Sequence, residues 1–123
     1  MSSLFSAQLL DHFEHPRNAG EMVSPTARVR VENPACGDIM ELSLRIENGA
    51  IAESRYRTRG CVAAIACGSA LTELLAGKSL PDARLLRREE IIAVVGGLRP
   101  ESVHASHLAM DALAQALRQV QEI

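Results

Sequence analysis

Met40-Glu41-Leu42-Ser43-Leu44-Arg45-Ile46-Glu47-Asn48-Gly49 alternates apolar and polar residues and then turns. A period of two places Met40, Leu42, Leu44 and Ile46 on one side of a strand. Asn48-Gly49 is a strong hairpin signal, because both central positions of the favoured turn need positive φ. The alternation continues on either side of this stretch. Val29 and Val31 mark a strand before it, and Ala52, Ser54, Tyr56 and Thr58 line the covered side of a strand after it. The opposite side carries Arg28, Arg30, Glu32, Glu41, Arg45, Glu47, Glu53, Arg55, Arg57 and Arg59. Three antiparallel strands with one covered face and one wet face follow. The arginine stripe reads as a ladder of cross-strand ion pairs with its glutamates.

Outward from the strands the period changes to that of a helix. Leu4, Phe5, Leu9, Leu10 and Phe13 predict a short amphipathic helix that Pro16 ends at His15, with His12 and His15 on its polar face. Arg17-Asn18-Ala19-Gly20 turns the chain. Val62–Ala76, rich in alanine and leucine, predicts a long helix stopped by Gly77. Ser79 caps a short segment with Pro81 and Asp82 in its first turn, and Arg87–Val95 forms another before Gly96-Gly97. Ser102 opens the last helix, striped by Leu108, Ala112, Leu113, Ala116, Leu117 and Val120. The expected class is α+β: a three-stranded antiparallel sheet with an N-terminal helix and several C-terminal helices on one face, a single domain over residues 1–123.

Composition narrows the function. At 123 residues, 47% hydrophobic and 23% charged, the chain can bury one core and is neither disordered nor fibrous. A net charge of -2 with only three aromatic residues argues against nucleic acid as a partner. No apolar run is long enough to span a membrane, and Met1–Ser6 lacks the charged and apolar regions of a signal peptide, so a cytoplasmic location is expected. Three cysteines, an odd number, point to reactive thiols or a metal rather than a disulfide framework.

Three segments can carry such chemistry. Asn33-Pro34-Ala35-Cys36-Gly37-Asp38 lies in the first hairpin, where a thiol and a carboxylate two residues apart can point at one ion. Gly60-Cys61 lies where the third strand meets the long helix, whose free amides and positive end favour a thiolate. His104-Ala105-Ser106-His107 opens the final helix with two imidazoles on one face. Cys67, six residues past Cys61, is rotated 240° from it on an ideal helix and reads as a packed core residue.

These segments, with Asp11-His12-Phe13 and Pro16-Arg17-Asn18-Ala19-Gly20, resemble the IscU and NifU N-terminal family of iron–sulfur cluster scaffolds in order and spacing over nearly the whole chain. The resemblance implies a scaffold, not a turnover enzyme. Such a protein takes iron and the sulfur released by a cysteine desulfurase, builds a [2Fe–2S] cluster and passes it to apo iron–sulfur proteins. It implies that Cys36, Asp38, Cys61 and His104 surround the metal; Cys67, where the family usually has a small polar residue, and His107, one turn beyond His104, are further candidates by their own chemistry. Two departures stand out. Ala105 occupies the place of the family's third cysteine. Leu98-Arg99-Pro100-Glu101-Ser102 keeps two of the five positions of the family's chaperone-docking segment, which leaves an Hsp70-type chaperone a doubtful partner. With two sulfurs, one oxygen and one nitrogen, the altered ligand set also suits tetrahedral zinc. A zinc-binding docking module and a persulfide carrier using Cys61 or Cys67 are therefore the alternatives.

Overall fold

The computed structural model describes residues 5–121; Leu4, expected in the first helix, lies outside them. Strands β1 (Ala27–Glu32), β2 (Ile39–Glu47) and β3 (Ala50–Arg59) form an antiparallel sheet in the order β1-β2-β3. Asn48 and Gly49 join β2 to β3 with φ of 53° and 74°, the left-handed pair that this tight turn requires. Met40, Leu42, Leu44 and Tyr56 are buried on the covered face as the alternation predicts. At the start of β3 the phase differs. Arg45 faces Glu53 while Ile46 faces Ile51, so Ala52 is an extra residue in β3. The bulge turns Ala52 out to solvent and brings Ile51 into the core, which a strict period of two cannot foresee.

The wet face carries a shorter ion-pair ladder than expected. Arg45 reaches Glu53 across the strands at 2.5 Å and Glu47 at 3.0 Å, and Arg55 meets Glu53 at 2.8 Å. Arg57 pairs instead with Glu21, and Glu32 and Glu41 make no ion pair among the described residues.

Helix α1 (Ala7–Glu14) is capped by Ser6, whose hydroxyl accepts from the Leu9 amide at 2.9 Å. Helix α2 (Val62–Leu75) is apolar on nearly every side and is the central element, packed against α1, β3, α4 (Arg88–Val94) and α5 (His104–Gln121). Ser79 caps α3 (Leu80–Arg84) through the Asp82 amide, as the sequence predicts. Ser102 does not cap the last helix. It ends a 3-10 turn at Pro100–Ser102, and α5 begins at His104, where Ser106 donates back to the Val103 carbonyl at 2.7 Å. Helix α5 lies across β1 and β2, and α2 against β3, so the apolar sheet face is covered.

His12 is a second departure. Rather than lying on a solvated face it is 5% exposed, wedged between α1 and α2. Its Nδ1 is 2.7 Å from the Ser69 hydroxyl, which also accepts the Arg17 amide at 2.9 Å. The Arg17 amide occupies one lone pair of that hydroxyl, and its proton is free to meet Nδ1 of a neutral ring. Burial, reinforced by the Arg17 charge and opposed by Glu73 and Asp11, holds the His12 pKa below its ordinary value. The unfolded chain therefore takes up this proton at higher pH than the folded one, and stability falls as pH drops below about 6.5. Denaturant titrations at pH 7 and pH 5.5 should show this loss, and His12→Asn should reduce it.

Candidate metal centre

Three loops meet at one end of the sheet. Between β1 and β2, the Asn33 amide donates to the Asp38 carbonyl at 2.8 Å and the Gly37 amide to the Asn33 carbonyl at 2.7 Å. The Asn33 side chain accepts the Ala35 amide at 3.0 Å, and Gly37 takes a φ of 77°. This tight turn leaves Cys36 exposed at its tip and directs Asp38, only 6% exposed, inward.

Asp38 rests on Gly60. A Cβ at position 60 would stand 2.5 Å from Asp38 Oδ1, so only glycine allows the carboxylate to lie this close to the strand end. Sequence reasoning missed that role; the available signal was a glycine immediately before a candidate ligand at a strand-to-helix junction. Gly60→Ala is expected to displace Asp38 and lower metal affinity by about 10- to 100-fold with the fold retained, because groups that orient ligands have effects of that size. A metal titration alongside circular dichroism checks this.

Cys61 is the N-cap of α2, and its sulfur accepts from the Ala64 amide at 3.4 Å. The same sulfur lies 3.4 Å from Asp38 Oδ2 and 3.8 Å from His104 Nε2. His104, the first residue of α5, places Nε2 3.5 Å from Asp38 Oδ2. Ligand atoms of Cys36, Asp38 and His104 all lie within 4.8 Å of one another. Asp38 is thus the hub, with Cys36 and His104 in one compact group and Cys61 joined to it through Asp38 and His104.

The electrostatics differ from the expected lowered thiol. Desolvation raises the Cys61 pKa, and Asp38 adds to the rise, while the Ala64 and Ala63 amides oppose it without prevailing. The helix end does act on the sulfur as anticipated, but desolvation, with Asp38 adding to it, outweighs the amides. A thiol held this way keeps its proton at neutral pH, so a cation bound there would have to displace it.

The two further candidates lie apart. Cys67 is fully buried on α2, and burial pushes its thiol up to about 12. His107 is exposed, outside the compact group. Ala105 is fully buried, and its methyl group has no ligand atom to offer.

Residues 4–123 match the model of the NifU-like N terminal domain. The chain is 38% identical over 117 residues to the iron–sulfur cluster assembly scaffold protein IscU of Escherichia coli K12, covering 92% of this chain and 91% of the relative. It is 37% identical over 120 residues to IscU of Aquifex aeolicus, covering 96% of this chain and 76% of that one. Among solved structures, a nitrogen-fixing NifU-like protein (N-terminal) from Brucella abortus superposes with a TM-score of 0.78 at 18% identity, covering 95% and 94% of the two chains. That last likeness concerns the fold.

Proposed function

The chain belongs to the NifU-like N-terminal domain family of iron–sulfur cluster assembly scaffolds, and we propose that residues 1–123 act as one domain that builds and carries a [2Fe–2S] cluster. The observation that carries this reading is the convergence of Cys36, Asp38, Cys61 and His104 from three separate loops. In this reading the cluster is cargo. Cys36 and Cys61 hold it as thiolates, His104 supplies a nitrogen, and Asp38 takes the position between them where an oxygen ligand binds iron less tightly than sulfur does. Mixed sulfur and nitrogen ligation of a two-iron cluster has precedent. A site with two thiolates and two harder ligands suits release to apo-proteins better than storage. Sulfur comes from a cysteine desulfurase, and the protein itself turns over no substrate.

The same four ligands also suit a closed zinc site, and the alanine at position 105 favours that occupant, since zinc accepts a mixed set readily. Anaerobic reconstitution with ferric iron and sulfide decides between the two. Visible charge-transfer absorption with two irons and two sulfides per chain is the expected result. A colourless protein that retains one zinc per chain and takes up no iron would eliminate the cluster reading.

A further inference from the structure

The outer edge of β3 is filled by the chain itself near its start and in its middle, and is open beside the metal centre. Near its start, Ile51 donates to the Lys78 carbonyl at 2.8 Å and accepts the Gly77 amide at 3.2 Å. In its middle, Tyr56 donates to the Asn18 carbonyl at 3.0 Å and accepts the Gly20 amide at 2.9 Å, with Ala19 and Tyr56 bridged in parallel. Tyr56 therefore points its backbone groups away from β2. The register with β2 runs without a shift from Leu42 opposite Tyr56 to Met40 opposite Thr58. Backbone direction repeats every second residue in an antiparallel pair, so the Thr58 amide and carbonyl also face outward. They meet no hydrogen-bond partner among the described residues. Thr58 Oγ1 is buried and is also without a partner.

The chain's own segment leaves this edge at Gly20, whose φ is 131°. Glu21, just beyond, pairs with Arg57. Arg59, the next side chain on that face, is exposed and has no ion pair among the described residues. Beside the edge lies an open groove of about 280 Å³ lined by Ala19, Gly20, Tyr56, Arg57, Thr58 and Ile65.

We propose that this open end of β3 is the docking site for an extended segment of the protein that delivers sulfur, added as a short parallel strand beside Thr58. The segment would place an acidic side chain on Arg59 and a small apolar one in the groove. This rests on the scaffold reading. A strand is the occupant because outward-facing amide and carbonyl groups are satisfied together by an extended backbone. Residues 18–20 already make that contact one step back, and the Glu21–Arg57 pair shows the charge that the arginine side accepts. The direction also matters. At roughly 3.3 Å per residue, a strand continuing parallel to β3 past Thr58 comes level with Cys61 about three residues later.

The test uses an alternating valine–glutamate hexapeptide and its valine–lysine counterpart, added to isotope-labelled protein. The acidic peptide is expected to shift the amides of residues 58–61 and slow exchange of the Thr58 amide. Thr58→Pro deletes the backbone donor that β2 leaves unused, together with the hydroxyl, a change that strand edges tolerate. It should weaken binding about tenfold or more, while Thr58→Ser stays within about twofold and Arg59→Glu transfers the preference to the lysine peptide. With a cysteine desulfurase and cysteine as sulfur source, Thr58→Pro and Arg59→Glu should slow cluster formation about tenfold, yet leave formation from inorganic sulfide unchanged. No amide shift at about 5 mM peptide, shifts confined to other surfaces, or equal desulfurase-fed rates in both variants would overturn the docking site. Should Thr58→Pro fail to fold, Arg59→Glu and exchange protection in the unaltered protein decide the matter. Failure of sulfide-fed reconstitution in the unaltered protein removes the scaffold reading instead, and leaves the peptide result standing.

Discussion

Cys61→Ser is expected to lower metal or cluster affinity by at least about 100-fold while the protein stays folded, because loss of a thiolate ligand should exceed the effect of losing an orienting group. Serine separates the two jobs of this residue. As the N-cap of α2, Cys61 accepts the Ala64 amide, and serine is among the best residues for that task. Its hydroxyl is a poor substitute for a thiolate toward iron or zinc. Metal retention after desalting, read beside the thermal transition, should show occupancy lost with the Tm nearly unchanged. Cys67→Ser is the control. That thiol is sealed inside α2, so the substitution should affect stability and leave metal content as it was. Full occupancy in Cys61→Ser would show that the centre does not use this sulfur.

The second large effect concerns packing. Gly68→Ala should destabilise the fold by about 2 kcal/mol, although alanine is the better helix former by about 1 kcal/mol. An added Cβ would stand 2.4 Å from two carbons of the Tyr56 ring and 3.2 Å from the Met40 methyl. The ring has no room to retreat. Tyr56 is buried, its hydroxyl donates to the Ile65 carbonyl at 2.7 Å, and its backbone is held by Asn18 and Gly20. Overpacking costs of about 1–3 kcal/mol thus combine with the loss of a fixed hydrogen bond. For a domain of this size the Tm should fall by roughly 6–12 °C in a calorimetric scan. Pairing the change with Tyr56→Leu, which removes the ring, should recover part of that loss and show strong coupling. A neutral Gly68→Ala would mean that α2 and β3 do not meet this closely.

Helix-to-sheet contact of this kind explains which parts of the molecule could be read in advance. The three strands, the Asn48-Gly49 turn, the Gly77 stop and the Ser79 cap depend on residues within a few positions of one another. Ala52 and Ile51 show where that logic ends. The bulge that exchanges them depends on how β2 and β3 register across the turn, and neither strand alone records it. His12 shows the same limit for a helix. Its position fits a polar face in an isolated α1, but α1 packs that face against Ser69 of α2.

By itself the sequence determined the α+β class, the candidate ligands Cys36, Asp38, Cys61 and His104, and the family they resemble, because residue type and spacing are local properties. Tertiary structure decided that candidate ligands 43 residues apart in the chain, Cys61 and His104, stand 3.8 Å from one another. It also decided that Gly60 seats Asp38, that Cys67 is sealed away, and that the Cys61 thiol is raised rather than lowered. A helix terminus acts through its own amides and is written in the chain. The desolvation and the opposing carboxylate come from a hairpin folded against it, and exist only once the sheet and α2 have packed.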